Sequence, residues 1–152
     1  MREILIVDTS CLILLFKIGA FDILKNLYSE VLTTPQVFNE YNHTLPDFVQ
    51  VKEVNDTFLQ QALEQNLGKG ESSVIALGFT LPECSLVIDD RKARKAARSM
   101  GFTVTGTLGV LVKAKQEGII GRIKPLLDKL LETDFRVSDE VITKILEIAG
   151  EN

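Results

Sequence analysis

The chain has 152 residues, 45% of them apolar and 25% charged, with a formal net charge of −4. That length supports one domain with a core that needs no disulfide or structural metal, and the composition excludes disorder. The acidic balance excludes a general nucleic-acid coating protein, which needs many phosphate-neutralising cations, although a local basic surface stays open.

The longest apolar stretch, Cys11 to Phe16, is too short to span a bilayer. Met1-Arg2-Glu3 leads into Ile4-Leu5-Ile6-Val7 and then Asp8. The acid stops this run too early for a signal-peptide core and no small-residue cleavage pattern follows, so a cytoplasmic protein is expected. Cys11 and Cys84 lie far apart beside apolar runs, with neither a zinc spacing nor a disulfide framework. His43 is the only histidine, so a hard-metal site must be built from carboxylates.

In chain order, residues 3–7 read as a strand buried on both faces. Thr9 or Ser10 then caps a helix broken near Gly19, and Phe21, Leu24 and Leu27 continue with helical spacing. Val31 and Leu32 suggest a second strand, and Thr34-Pro35 opens a helix carrying Glu40. Residues 42–54 read as irregular. Asp56 to Leu67 predicts a helix ended by Gly68, and Gly70-Glu71 starts the next. Ser85 to Ile88 reads as a buried strand ended by Asp89-Asp90, Arg91 to Met100 as a basic helix closed by Gly101, and Phe102 to Thr105 as a strand. Three helical segments follow, over 106–115, 123–131 and 138–148. Strands alternating with helices at this spacing predict an α/β fold with a parallel sheet covered on both faces. Ligands of such sheets gather at the carboxyl ends of the strands, where Asp8 and Asp89-Asp90 fall.

Asp8 and the Asp89-Asp90 pair would repel one another at one sheet edge, and a divalent cation relieves that repulsion. Glu40 and Glu71 are the further acids in reach. Each has a plainer reading. Asp8 can be a helix cap, Glu71 a capping-box or dipole residue, and Glu40 a solvated glutamate, while Asp90 can cap the basic helix and leave Asp89 as the functional member. His43 has no nucleophile signature beside it. Gly68-Lys69-Gly70-Glu71-Ser72 lacks the residue order of a phosphate-binding loop. Arg91, Arg94, Lys95 and Arg98 share one helix face, which suits either a nucleic-acid backbone or a solvated surface over inward-facing Ala93, Ala96 and Ala97.

With Val7-Asp8-Thr9-Ser10, Pro35…Glu40, Gly70-Glu71, Val87-Ile88-Asp89-Asp90 and Gly106-Thr107-Leu108-Gly109, the chain resembles the PIN-domain nucleases over essentially its whole length. More narrowly, it resembles a prokaryotic PIN-like branch that carries a Gly-Thr-Leu-Gly segment and a helical C-terminal extension, here about 121–152. The resemblance implies a single PIN-like domain over 1–152, a three-layer α/β/α sandwich with a mainly parallel sheet, and an endoribonuclease dependent on Mg²⁺ or Mn²⁺. It implies that Asp8, Glu40, Glu71 and Asp89 or Asp90 are the catalytic, metal-binding acids, with Thr9 or Ser10 supporting the pocket. It also implies RNA as substrate, guided by Arg91, Arg94, Lys95 and Arg98. Many relatives are toxins of VapC-type toxin–antitoxin pairs and form homodimers, so an antitoxin partner and a second copy of the chain are expected. The third acid departs from the family pattern, being a glutamate at the helix start where an aspartate further along, at Ser72 or Ser73, is usual. The alternative is a binding module for nucleic acid or protein with a weak or vacant metal site. A structural subunit, assembled through Ile119, Ile120, Leu126, Leu127, Leu130 and Leu131, is a third reading, against which ordinary core packing is preferred.

Overall fold

The computed structural model describes residues 3–151. Met1 and Arg2, on which the reading of the chain start rests, and Asn152 lie outside them. Strand β1 (Ile4–Val7) is followed by helices α1 (Thr9–Ile18) and α2 (Asp22–Leu27), then β2 (Glu30–Thr33), α3 (Pro35–Tyr41) and β3 (Val49–Val51). The second half runs α4 (Thr57–Glu64), α5 (Lys69–Gly78), β4 (Ser85–Val87), α6 (Arg91–Ser99), β5 (Thr103–Thr105), α7 (Thr107–Gln116), α8 (Lys124–Leu131) and α9 (Asp139–Ile148).

Five of the helices, α1, α3, α4, α6 and α9, begin where a short polar side chain takes up a free backbone N–H group. Thr34 accepts from Val37 N, with Pro35 in the first turn; Asp56 accepts from Leu59 N, Asp90 from Ala93 N and Ser138 from Val141 N. The first helix corrects the expectation of a Thr9 or Ser10 cap. Asp8 is the cap, with extended backbone and a carboxylate accepting from Cys11 N, and Thr9 is already helical. Residues 42–54 also differ from the irregular stretch expected, because they contain β3. That strand has three residues, of which only Val49 is buried, so its alternation is too short to register as a period.

The five strands are parallel in the order β3-β2-β1-β4-β5, giving a three-layer α/β/α sandwich. Leu5, Ile6 and Val7 in β1 and Leu86 and Val87 in β4 are fully buried, as expected of central strands covered on both faces. Helix α5 packs on β1 and β4, with α3 and α4 against it, while α2 packs on α7. Burying each large aliphatic side chain contributes roughly 1.5–3 kcal/mol, set against the entropy of ordering the chain.

The last two helices are tied to this body. Leu127 and Leu130 are buried and Ile119, Ile120, Leu126 and Leu131 pack against the core, so the apolar stripe is core packing. Helix α8 lies against α1. Glu151 accepts from Ile123 N at 2.7 Å and Lys124 N at 3.1 Å, capping α8 from the far end of the chain, and pairs with Lys115 at 3.2 Å and Arg122 at 3.7 Å. Both cysteines are free. Among the described residues no helix is long and apolar enough to cross a membrane.

The chain order sets where a ligand can sit. From β1 the sheet grows one way through β2 and β3 and the other way through β4 and β5. The reversal opens a crevice between the carboxyl ends of β1 and β4.

Candidate functional site

Asp8 stands at that crevice. Its N–H donates to Val87 O at 3.1 Å, extending the β1–β4 pairing by one residue. Its side chain is 3% exposed and bridges the two strand ends, with Oδ1 accepting from Cys11 N at 2.9 Å and Oδ2 from Asp89 N at 3.0 Å. Burial pushes the carboxyl up to about 8, reinforced by the charges of Asp89 and Glu71 and only partly opposed by the two N–H donors. The neighbouring Cys11 thiol is also raised well above its usual range, first by burial and then by Asp89 and Asp8.

Asp89 is gripped by a single residue. Thr107 N donates to Oδ1 at 2.7 Å and Thr107 Oγ1 to Oδ2 at 2.6 Å. This explains the Gly106-Thr107-Leu108-Gly109 segment. A Cβ at Gly106 would lie 2.9 Å from both Asp89 Oδ1 and Arg94 Nη1, so glycine lets the turn into α7 pass this close without displacing either side chain. Asp90, one residue on, is exposed and caps α6.

Glu40 and Glu71 reach the crevice from helices on its other side. Glu40 Oε1 accepts from Thr9 Oγ1 at 2.6 Å. Glu71 Oε2 accepts from Gly68 N at 3.1 Å, completing one half of a capping box at the start of α5. Burial raises the Glu71 carboxyl, with the charges of Asp90 and Glu40 adding to it. Between these acids a Cβ on Gly70 would collide with Glu40 Oε1.

Asp8, Thr9, Ser10, Glu40 and Glu71 line one cavity of about 280 Å³. Glu71, Asp89 and Asp90 line an adjoining one of about 580 Å³, together with Ser10, Lys17, Asp134 and Phe135. The acids singled out in the sequence therefore share a continuous depression. Among the described residues, however, no three His, Cys, Asp or Glu side chains converge as a group that could hold a metal ion. The donors are hard oxygens of the kind Mg²⁺ and Mn²⁺ take, and none of the five acids is in an ion pair among the described residues. The donor chemistry fits a divalent cation, while the side-chain positions do not yet close around one.

The basic helix divides. Arg94 Nη1 donates to Ile88 O at 3.2 Å and Asp89 O at 3.1 Å, and Arg98 Nη2 to Val104 O at 3.1 Å, so both turn back onto the sheet edge. Arg91 and Lys95 stay exposed, while Ala93 and Ala97 are buried beneath the helix. His43 is exposed and stacks on Phe16, with ring centroids 4.9 Å apart.

Sequence reasoning missed Thr107, Lys17, Asp134, Phe135 and Arg136. Thr107 carried a local signal, a threonine just after the Gly106 helix start. The others are brought in from α1 and from the α8–α9 connection by packing alone.

A doubly wound parallel sheet with acidic side chains crowded at its β1/β4 switch point is the arrangement of a PIN domain. The chain belongs to the DUF3368 family, described as a PIN domain, whose model matches residues 4–151. No curated protein matches it.

Proposed function

We propose that the chain binds RNA across the carboxyl edge of its sheet, and that the Asp8 pocket is a cation-dependent hydrolytic site not assembled at rest. The exposed Arg91 and Lys95 beside the acids support the binding half more directly, since among the described residues no three acids converge. The observation behind the hydrolytic half is the uncompensated Asp8, whose carboxyl is raised to about 8 by burial beside Asp89 and Glu71. Keeping like charges so close without a cationic partner is costly, and such groups concentrate at functional sites.

Asp8 and Asp89 would be the fixed ligands, because backbone N–H groups and Thr107 hold them at the strand ends. Each carboxylate oxygen keeps a second lone pair beyond the hydrogen bond it accepts. Glu40 and Glu71 are anchored through one oxygen each and can swing towards Asp8. A divalent cation there, when bound, neutralises the carboxylates and stabilises charge on the phosphate. Hydrolysis forms a bond from water oxygen to phosphorus and breaks the bond from phosphorus to the leaving ribose oxygen. Glu40 or Glu71 accepts the proton released by the water, and the leaving oxygen takes one from solvent. Identity as a VapC-type toxin with an antitoxin partner, and assembly as a homodimer, rest on the resemblance alone.

The test is cleavage of a mixed-sequence RNA with Mn²⁺ or Mg²⁺. Wild type is expected to cleave, and Asp8→Asn to lose at least about a hundredfold. Gly70→Ala, which displaces the flexible end of Glu40 and presses on the Thr9 hydroxyl, is expected to fold normally and cleave more slowly. No cleavage by wild type, together with no Mn²⁺-induced rise in melting temperature, would refute the hydrolytic half and leave the binding half.

A further inference from the structure

Past Asp89, on the side away from Asp8, the depression continues into a cleft of about 410 Å³. It is lined by Arg94 and Arg98 of α6, Leu108 of α7, Phe135 and Arg136 of the α8–α9 connection, Val141 of α9 and Asp89 itself. Phe135 and Asp89 also line the cavity beside Glu71, so two residues span the two spaces.

Each arginine is fixed by main-chain carbonyls: Arg94 as described above, Arg98 on Val104 O, and Arg136 Nη1 on Thr133 O at 2.9 Å and Phe135 O at 3.1 Å. A guanidinium has five donors, and these bonds occupy one nitrogen of each. None of the three makes an ion pair among the described residues. In a chain of net charge −4, three positioned guanidinium groups thus face a partly apolar cleft in which Asp89 is the one acid of the lining. Held by carbonyls rather than carboxylates, they keep their full charge for an incoming anion and lose little side-chain entropy on binding it.

Negative oxygens joined to a flat, weakly polar ring match that lining, and the volume lies within the range of small-ligand sites. Aromatic side chains commonly stack unpaired bases of single-stranded RNA, and arginine takes phosphate. We propose that this cleft is the subsite for the nucleotide next to the phosphate held at the acidic pocket. Arg94, Arg98 and Arg136 engage its phosphate and Phe135 packs against its base. The α8–α9 connection thereby supplies part of the substrate track, and Arg136 is a binding residue that the basic helix does not contain. This inference rests on the RNA-binding reading.

The experiment measures binding of a fluorescein-labelled octa-adenylate to the full chain by anisotropy, in EDTA so that cleavage plays no part. Arg136→Gln is expected to weaken binding about tenfold, Arg136→Lys to restore most of it, and Phe135→Leu to weaken it about tenfold through lost stacking. Lys25→Gln makes the same charge change at an exposed position of α2, outside the cleft, and is expected to leave binding within about twofold. Circular dichroism melts check that each variant folds, and exposed Arg136 is the safest of the positions. If wild type binds and Arg136→Gln weakens it no more than Lys25→Gln, the subsite is wrong while RNA binding stands. If Arg136→Gln weakens binding selectively but Mn²⁺ yields no cleavage, the subsite stands and the hydrolytic half falls. If octa-adenylate does not bind at all, both the subsite and the RNA reading fail. Arg136-dependent binding of poly-glutamate in that case would give the cleft to an acidic peptide.

Discussion

Asp8 and Glu151 sit in similar hydrogen-bonding positions and differ in charge. Each carboxylate accepts two backbone N–H groups. Asp8 is raised to about 8, by burial and then by Asp89. Glu151 is lowered, first by the Ile123 N–H, then by the Lys124 N–H and Lys115. Backbone donors alone therefore do not fix a carboxylate's charge. Burial and then the crowding acids override them at Asp8, whereas at Glu151, flanked by Lys115 and Arg122, the donors prevail. Glu151 is a satisfied structural group that anchors the last helix. Asp8 carries an unresolved charge problem at the mouth of a cavity, as a ligand site does.

The largest expected effect comes from pH. Because the folded value of Asp8 lies above its ordinary value of 3.8, the folded chain keeps a proton that the unfolded chain releases. Its contribution is complete below pH 3.8 and is lost as pH rises towards 8, by at most about 2.5 kcal/mol between pH 6 and pH 8. Melting temperature in EDTA is therefore expected to fall across that interval in wild type and to fall less in Asp8→Asn. A cation on Asp8 competes with the proton, so Mn²⁺ should raise the melting temperature more at pH 8 than at pH 6. Equal Mn²⁺ shifts at the two pH values would remove Asp8 from the cation site.

An effect of comparable size is expected at Thr107. Thr107→Val keeps the shape and the backbone N–H but removes the hydroxyl that donates to Asp89 Oδ2. A hydrogen bond to a charged group is worth about 1.5–3 kcal/mol, so thermal unfolding should occur several degrees lower. The Mn²⁺ response should weaken as Asp89 loosens. An unchanged melting temperature would show that the N–H alone holds this acid.

Glu151→Gln is expected to cost least, about 2–4 °C, as for a weakened helix cap. Its pH dependence has the opposite sign to that of Asp8. A lowered folded value means stability present above the ordinary 4.5 and lost as pH falls through the folded value. The Glu151→Gln variant should accordingly show a shallower acid limb in a melting curve against pH, with its behaviour between pH 6 and pH 8 unchanged. A change in that upper interval instead would mean that Glu151 and Asp8 are not independent.

Much of the fold was legible because its signals are local. Ile4–Val7 and Ser85–Val87 are unbroken apolar runs, Pro35 and Gly101 punctuate helices, and short polar caps precede most of them. The acids at the strand ends could be named for the same reason, since a parallel sheet puts its ligands there. Strand β3 escaped because an edge strand with one buried residue has almost no pattern of its own.

What sequence alone determined, then, is the alternating α/β order, the position of Asp8 and Asp89 at strand ends, and the carboxylate character of any metal site. Tertiary structure decided the rest. It set the separations that leave the acids short of a closed cluster and the grip of Thr107 on Asp89. It also turned Arg94 and Arg98 onto carbonyls and brought Phe135 and Arg136 to the crevice from the other end of the chain. Local patterns record which face of an element is apolar. They do not record which two distant elements meet, because that depends on the packing of the whole core.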